Sequence, residues 1–236
     1  MHQFTIIVPV YNEAENLPRL AKALLDFLPI AIKNTVVLFV NDGSTDHSES
    51  LIKEICAQNA GFSYISFRNN KGLSAAIKAG FDHTETELVG YMDSDLQTTP
   101  SDFNLLLPHI SAHDLVTGVR SKRQDSMMKK FSSKVANSIR RAFTHDGMDD
   151  TGCPLKVIKT SYAQRIPMFR GLHRFLPAMI LLQKGSILQV PVQHFPRLAG
   201  KAKFGIWNRL FGPLSDCFAY LWMKKKYINY EIKEKG

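Results

Sequence analysis

Asp93 and Asp95 flank Ser94 at the end of the apolar run 88–92, and this pair is the strongest chemical feature of the chain. Two residues apart at a strand end, their carboxylates can point the same way. Two hard oxygen ligands beside a diphosphate suit Mg2+ or Mn2+, with phosphate oxygens and water completing an octahedron. A metal held there would neutralise charge building on a departing nucleoside diphosphate. Gln97, two residues further on, offers a carbonyl oxygen to the same site. An isolated Asp-x-Asp is in most proteins only a capped turn. Here three more polar clusters end apolar runs in the same manner: Tyr11-Asn12-Glu13, Asn41-Asp42-Gly43-Ser44 and Arg68-Asn69-Asn70-Lys71-Gly72.

The elements that must position these clusters follow from periodicity. Residues 4–8 (Phe-Thr-Ile-Ile-Val) are expected as a buried strand stopped by Pro9. Residues 13–27 predict a helix with Leu17, Leu20, Ala21, Leu24 and Leu25 on one face. A strand over 36–40 turns at Asp42-Gly43-Ser44, where Ser44 or Thr45 is the expected cap of a helix carrying Leu51, Ile52 and Ile55. A strand at 62–67, a helix at 72–82 and a strand at 88–92 complete the first half. Continuous β-rich runs between helices imply an α/β, doubly wound, mostly parallel sheet with both faces covered. In such a sheet ligands sit beyond the carboxyl ends of the strands, where the polar clusters fall. Residues 1–120 therefore read as a nucleotide-binding half.

After residue 120 the pattern changes. Residues 126–143 predict an amphipathic helix with Met128, Phe131, Val135, Ile139 and Ala142 on one face and Lys129, Lys130, Lys134, Arg140 and Arg141 over much of the remainder. A strand is expected over 186–192. The last apolar stripe, Trp207, Leu210, Phe211, Leu214, Phe218, Leu221 and Trp222, runs into Lys224-Lys225-Lys226, with a kink expected at Gly212-Pro213. Such a helix suits an anionic membrane interface. The competing expectation is that it docks on the protein's own core or on a second subunit, as in a homo-oligomer.

The net charge of +9 is unevenly placed. Residues 120–141 carry eight Lys/Arg against Asp125 alone, and residues 197–236 carry nine against three acidic residues, so the rest of the chain is net negative. Two basic segments imply two anionic contacts. Nucleic acid is not expected as a partner, because no interleaved aromatic pattern or module signature accompanies the charge. Three scattered cysteines, Cys56, Cys153 and Cys217, form neither a disulfide framework nor a zinc spacing and fit a reducing compartment. Met1-His2-Gln3 leads directly into strand-like sequence, so no signal peptide is expected. No G-x-G-x-x-G follows the first strand, and neither a P-loop nor a hydrolase elbow is present.

Taken in order, Val8-Pro9-Val10-Tyr11-Asn12-Glu13, Val40-Asn41-Asp42-Gly43-Ser44-Thr45-Asp46, Asn69-Asn70-Lys71-Gly72 and Met92-Asp93-Ser94-Asp95-Leu96-Gln97 resemble the inverting GT-A type glycosyltransferases. Within that family the chain looks like the branch of dolichol-phosphate mannose synthases and bacterial polyprenyl-phosphate glycosyltransferases. The segments at 117–120, 150–153, 173–177 and 196–205 narrow it to that branch. The resemblance implies a GT-A domain over 1–205, with its acceptor half at 121–205, and a basic membrane-associating segment at 206–236. It implies that Pro9, Tyr11 and Glu13 hold the base and ribose, that Asp42 reads the base, and that Lys71 and Ser94 lie near the nucleotide. Asp93, Asp95 and Gln97 would bind Mg2+ or Mn2+. Arg120, Arg140 (or its neighbour Arg141) and Lys203 would approach the phosphate of a polyprenyl phosphate acceptor. Ala202-Lys203-Phe204 stands where a Ser-Lys-Tyr pattern is common, so the lysine is retained without its flanking hydroxyls.

The expected activity is transfer of a sugar from a nucleotide-sugar donor, UDP-linked in preference to GDP-linked, at the cytoplasmic face of a membrane. A lipid monophosphate is already anionic and needs positioning and charge neutralisation rather than a base. A sugar-hydroxyl acceptor would need one; Asp150 is the candidate, although Asp149-Asp150 before Thr151-Gly152 reads equally well as a turn. A catalytically silent nucleotide- or membrane-binding module is the remaining alternative.

Overall fold

The computed structural model describes residues 2–120, 138, 140–196, 206–229 and 233–234, with only the helix backbone of 206–214. Seven strands form one sheet: β1 (Phe4–Val10), β2 (Thr35–Asn41), β3 (Phe62–Ser66), β4 (Leu88–Tyr91), β5 (Leu115–Arg120), β6 (Lys156–Lys159) and β7 (Ile187–Val192). Their order is β3-β2-β1-β4-β6-β5-β7. All pairings are parallel except those of β6, which runs antiparallel between β4 and β5. The expected α/β doubly wound architecture is present, and β6 and β7 extend the same sheet past residue 120.

Alternation along the strands divides the core. Phe4, Ile6, Val8 and Val10 of β1 face one side, packed with Leu17, Leu20, Leu24 and Phe27 of α1 (Leu17–Phe27) and Ile52 of α2 (Ser48–Gln58). Ile7 faces the other side, with Ala76, Ile77 and Phe81 of α3 (Leu73–Asp82). That second face also holds α5 (Thr160–Gln164), α6 (Leu176–Leu182) and the last helix, α7 (Ile206–Lys226); the short α4 (Phe103–Leu106) lies with the first.

Three local expectations need correction. Pro9 does not stop β1, which continues to Val10. The carbonyl of Ile7 faces β4, accepting from the amide of Met92, and Pro9 shares that parity; pairing with β4 has ended by then, so no ladder donor is missed. In α1 the buried fifth position is Phe27, while Leu25 is 39% exposed. Neither Ser44 nor Thr45 caps α2. Asp46 instead accepts the Ser48 amide at 2.9 Å, while Ser44 Oγ accepts the amide of Asn12 at 3.0 Å.

α7 is assigned as unbroken helix through Gly212-Pro213. Cys217 and Tyr220 are buried against the second core face, where Tyr220 stacks on Phe175 at 5.6 Å between ring centroids. Asp216 pairs with Arg174 at 3.2 Å and packs against Gly171, whose φ of +95° and lack of Cβ admit the carboxylate. Phe218 and Trp222 stay 60% and 68% exposed and Lys224-Lys225-Lys226 follow them, so α7 has both a docked face and an open aromatic one. No helix among the described residues is long and apolar enough to cross a membrane.

Candidate active site at the carboxyl edge of the sheet

Because β1 to β4 are mutually parallel, their carboxyl ends open on one edge. The chain runs outward through β2 and β3 and then crosses back past β1 to β4, which places the switch point between β1 and β4. The crevice at such a point is where open α/β sheets bind ligands. Tyr11-Asn12-Glu13 leave one side of it and Asp93-Ser94-Asp95 the other.

The first three clusters are bound to one another by side chain to backbone hydrogen bonds. Asn12, at φ 51°, accepts the amide of Thr45 on Oδ1 at 2.8 Å, and the Glu13 amide donates to Ser48 Oγ at 2.9 Å. Asp42 is 3% exposed, and its carboxylate accepts the amides of Lys71 at 2.7 Å and Gly72 at 2.8 Å and the side-chain amide of Asn70 at 2.8 Å. A Cβ on Gly43, itself at φ +65°, would lie 2.5 Å from the backbone of Asn69, so only glycine lets the two loops approach this closely. Asp42 thus fixes the 70–72 loop as well as bordering the crevice. Lys71 is exposed above it, whereas Pro9 is buried inside β1.

Across the crevice, Ser94 and Asp95 are each 6% exposed and Asp93 is half-buried. The amide of Gln97 donates to Asp95 Oδ1 at 3.2 Å, and Leu96 turns the chain at φ 55°. The segment after β7 is tied to this loop: the Phe195 amide donates to the Gln97 carbonyl at 2.9 Å and the Gln193 amide to Asp102 at 2.7 Å. Burial pushes the Asp102 carboxyl above its ordinary range, with the Gln193 bond opposing it. His194 is carried to the Gln97 side of the site by these bonds.

β5 also ends at this edge, being antiparallel to β6, which is antiparallel to β4. Arg120, its last residue, makes a bidentate pair with Asp150, Nε to Oδ2 at 2.7 Å and Nη2 to Oδ1 at 2.8 Å. Under this pair lies Lys156, fully buried. Its ammonium donates to the carbonyls of Cys153 and Thr151 and sits 5.4 Å from the Tyr91 ring centroid. Burial pulls the Lys156 pKa down and pushes the Tyr91 phenol well up, the Asp93 charge adding to the latter. The anomaly that could have revealed Lys156 is a lysine inside the apolar run Leu155-Lys156-Val157-Ile158.

Two further expectations meet a different environment. Arg140 is 5% exposed, and its guanidinium donates to Asp146, to Thr144 Oγ1 at 3.3 Å and to the Met148 carbonyl at 2.9 Å. It is occupied inside the protein rather than presented to an incoming phosphate; Arg141, beside it, reaches the exposed Asp149 at 3.2 Å. Lys203 and most of the basic stretch 126–143 lie outside the described residues. The structure adds a pair that spacing did not reveal. Ser74, at the start of α3, accepts the Gly171 amide at 3.0 Å and is hydrogen-bonded to His173 Nδ1 at 2.8 Å. Burial, with Arg174 and Lys156 nearby, lowers His173 to about 3.

A doubly wound sheet with an Asp-x-Asp pair at its switch point is the GT-A type of architecture. The description of Glycosyl transferase family 2 matches residues 5–166, and the chain belongs to that family. The fold is also that of solved glucosyl-3-phosphoglycerate synthases from Mycobacterium tuberculosis. One, in complex with phosphoglyceric acid, superposes with a TM-score of 0.71 at 14% identity, covering 97% of this chain and 81% of that one. A second, holding Mn2+, UDP and glucosyl-3-phosphoglycerate, gives the same TM-score of 0.71, identity of 14% and coverages of 97% and 81%. A third, with Mg2+ and UDP, gives 0.68 at 15% identity with the same coverage of 97% and 81%.

Proposed function

We propose that this family 2 glycosyl transferase moves a sugar from a nucleoside-diphosphate sugar, UDP-linked in preference to GDP-linked, to polyprenyl phosphate, with inversion at the anomeric carbon. The observation that carries the reading is the placement of the Asp93/Asp95 carboxylates and the Arg120–Asp150 pair at one sheet edge, with Tyr91 and Lys156 between them. A carboxylate pair on one side and a guanidinium on the other suit a metal diphosphate and an anionic acceptor.

Asp93, Asp95 and Gln97 would hold Mg2+ or Mn2+. The donor set fits in kind: hard oxygens on one short loop after β4. Bound there, the ion offsets charge on the leaving diphosphate. The mycobacterial synthases of the same fold, crystallised with Mn2+ or Mg2+ and UDP, support that choice of metal and donor.

The protein's own residues do the rest. The 70–72 loop, fixed by Asp42, walls the nucleotide end with Tyr11 and Glu13. Arg120 orients an ionised acceptor, which needs no proton removed. Both oxygens of Asp150 already accept from the Arg120 guanidinium, which leaves this residue badly placed to act as base for a sugar hydroxyl. That observation favours the phosphate acceptor, and with it the polyprenyl-phosphate branch of the family. The open face of α7, with Phe218, Leu221 and Trp222 beside three lysines, supports peripheral attachment to an anionic membrane face on the cytoplasmic side. The roles of residues 1–120, 121–205 and 206–236 as donor, acceptor and membrane segments follow from this reading.

The test is an incubation with labelled UDP-sugars and Mn2+, offered either polyprenyl phosphate in detergent or a glycan acceptor. The proposal expects label in the lipid product, abolished by Asp93→Asn. Product on the glycan alone contradicts the acceptor assignment.

A further inference from the structure

His173 and Ser74 join the two halves of the molecule at the crevice. Ser74 lies two residues after Gly72, whose amide is held by Asp42. His173 lies on the single 3-10 turn Leu172–Phe175 between β6 and α6, and this turn packs on α3. Lys156, beside Tyr91 at the end of β4, is near enough for its charge to act on His173. The imidazole therefore sits beside the nucleotide loop and within the electrostatic reach of the second half.

The hydrogen bonds favour one tautomer. Ser74 is 5% exposed, and its oxygen already accepts the Gly171 amide. A hydroxyl has one proton to give, and among the described residues Nδ1 of His173 is the acceptor it meets at 2.8 Å. Nδ1 is then the unprotonated nitrogen and Nε2 carries the hydrogen. Nε2 makes no hydrogen bond among the described residues, while the residue remains only partly buried. Surroundings that deny it a charge, in a residue that is only partly buried, describe a group on the wall of a cleft.

We propose that His173 is a donor-sugar binding residue, oriented by Ser74, whose Nε2–H donates a hydrogen bond to a hydroxyl of the sugar being transferred. The inference rests on the glycosyl-transfer reading above. The sugar is favoured over the rest of the donor because the diphosphate belongs on the Asp93/Asp95 side, so the part extending towards the second half is the sugar. A phosphate is best met by a cation, which the neutral imidazole is not. A neutral N–H matches a hydroxyl, which both donates and accepts.

The experiment compares calorimetric binding of UDP with that of UDP-glucose, UDP-galactose and UDP-N-acetylglucosamine, all with Mn2+, to the wild type and three variants. His173→Asn keeps an acceptor for Ser74 but loses the outer donor; His173→Gln places an amide near the Nε2 position; Ser74→Ala frees the tautomer. The expected result is UDP affinity within about twofold of wild type in all three. The best-bound UDP-sugar should weaken about tenfold in His173→Asn, with partial recovery in His173→Gln and a smaller selective loss in Ser74→Ala. Equal weakening of UDP and UDP-sugar, or no weakening of either, overturns the assignment. Should His173→Asn fail to fold, the selectivity of Ser74→Ala decides by the same criterion. A wild type that binds no UDP-sugar more tightly than UDP instead overturns the donor reading, and the role of His173 with it.

Discussion

The two sides of the crevice are built by different physics. On the β1–β3 side, loops are held by short polar side chains accepting or donating to backbone: Asn12 to Thr45, Ser48 to Glu13, Asp42 to the 70–72 amides. On the β5–β6 side, the supports are ion pairs and a buried ammonium: Arg120 with Asp150, Arg140 with Asp146, Arg174 with Asp216, and Lys156 against Tyr91. The first kind of support fixes backbone shape, through bonds that join residues 29 to 35 apart. The second fixes charge in poor solvent and links residues 30 apart, as in Arg120–Asp150, or 42 apart, as in Arg174–Asp216. A loop that must present amides to a nucleotide gains from the first, and a half that must hold charged groups in place gains from the second.

The contrast can be broken most severely on the charged side. Asp150→Ala strands the Arg120 guanidinium, whose side chain is only 15% exposed, and should destabilise the fold by about 3 kcal/mol, read by urea unfolding. Asp150→Asn, which keeps one acceptor, should cost less. Asp93→Asn should leave the unfolding midpoint close to wild type while lowering sugar transfer by about 10²-fold or more, measured as labelled product. On the other side, Asp42→Ala removes acceptors from two backbone amides and should cost about 2 kcal/mol and weaken UDP binding; a variant with normal stability would show that the 70–72 loop is held by something else.

His173 supplies a pH signature. Its folded pKa of about 3 lies below the unfolded value near 6.5, so between those values the unfolded chain binds more protons. Stability contributed by the neutral imidazole is then complete above pH 6.5 and is lost as pH falls towards 3, with a slope of at most about 1.4 kcal/mol per pH unit. His173→Gln should flatten this part of the stability profile, measured by denaturation from pH 4 to 8 as a rough range. The smallest stability effect is expected on the open face of α7. Trp222→Ser should change stability by less than about 0.5 kcal/mol, yet weaken binding to vesicles containing anionic lipid; unchanged binding would contradict the membrane role of that face.

Legibility from sequence follows the same division. The β1–β4 side was readable because each strand, turn cluster and helix is contiguous, and strand parity then puts every cluster at one edge. What was misjudged there is local: Pro9 is tolerated because its missing amide faces the side where β4 has ended, and Asp46 rather than Ser44 or Thr45 serves the start of α2. The second half was harder because a charged residue has the same appearance whether it awaits a ligand or a partner. Arg140 was expected to meet phosphate; its partners Thr144, Asp146 and Met148 close a loop that periodicity does not encode. Ser74 and His173, 99 residues apart, carry no spacing signal at all. α7 combined two expectations, since Cys217 and Tyr220 form its docked face while Phe218 and Trp222 are exposed.

The central claim is that Asp93 and Asp95 bind the donor's diphosphate through a divalent ion. Calorimetric titration of UDP into the wild type and Asp93→Asn, each with Mn2+ and with chelator, tests it most directly. The account predicts binding by the wild type with Mn2+ that falls by at least about tenfold in chelator and in the variant. UDP bound equally well by Asp93→Asn, or by the wild type without metal, would contradict it.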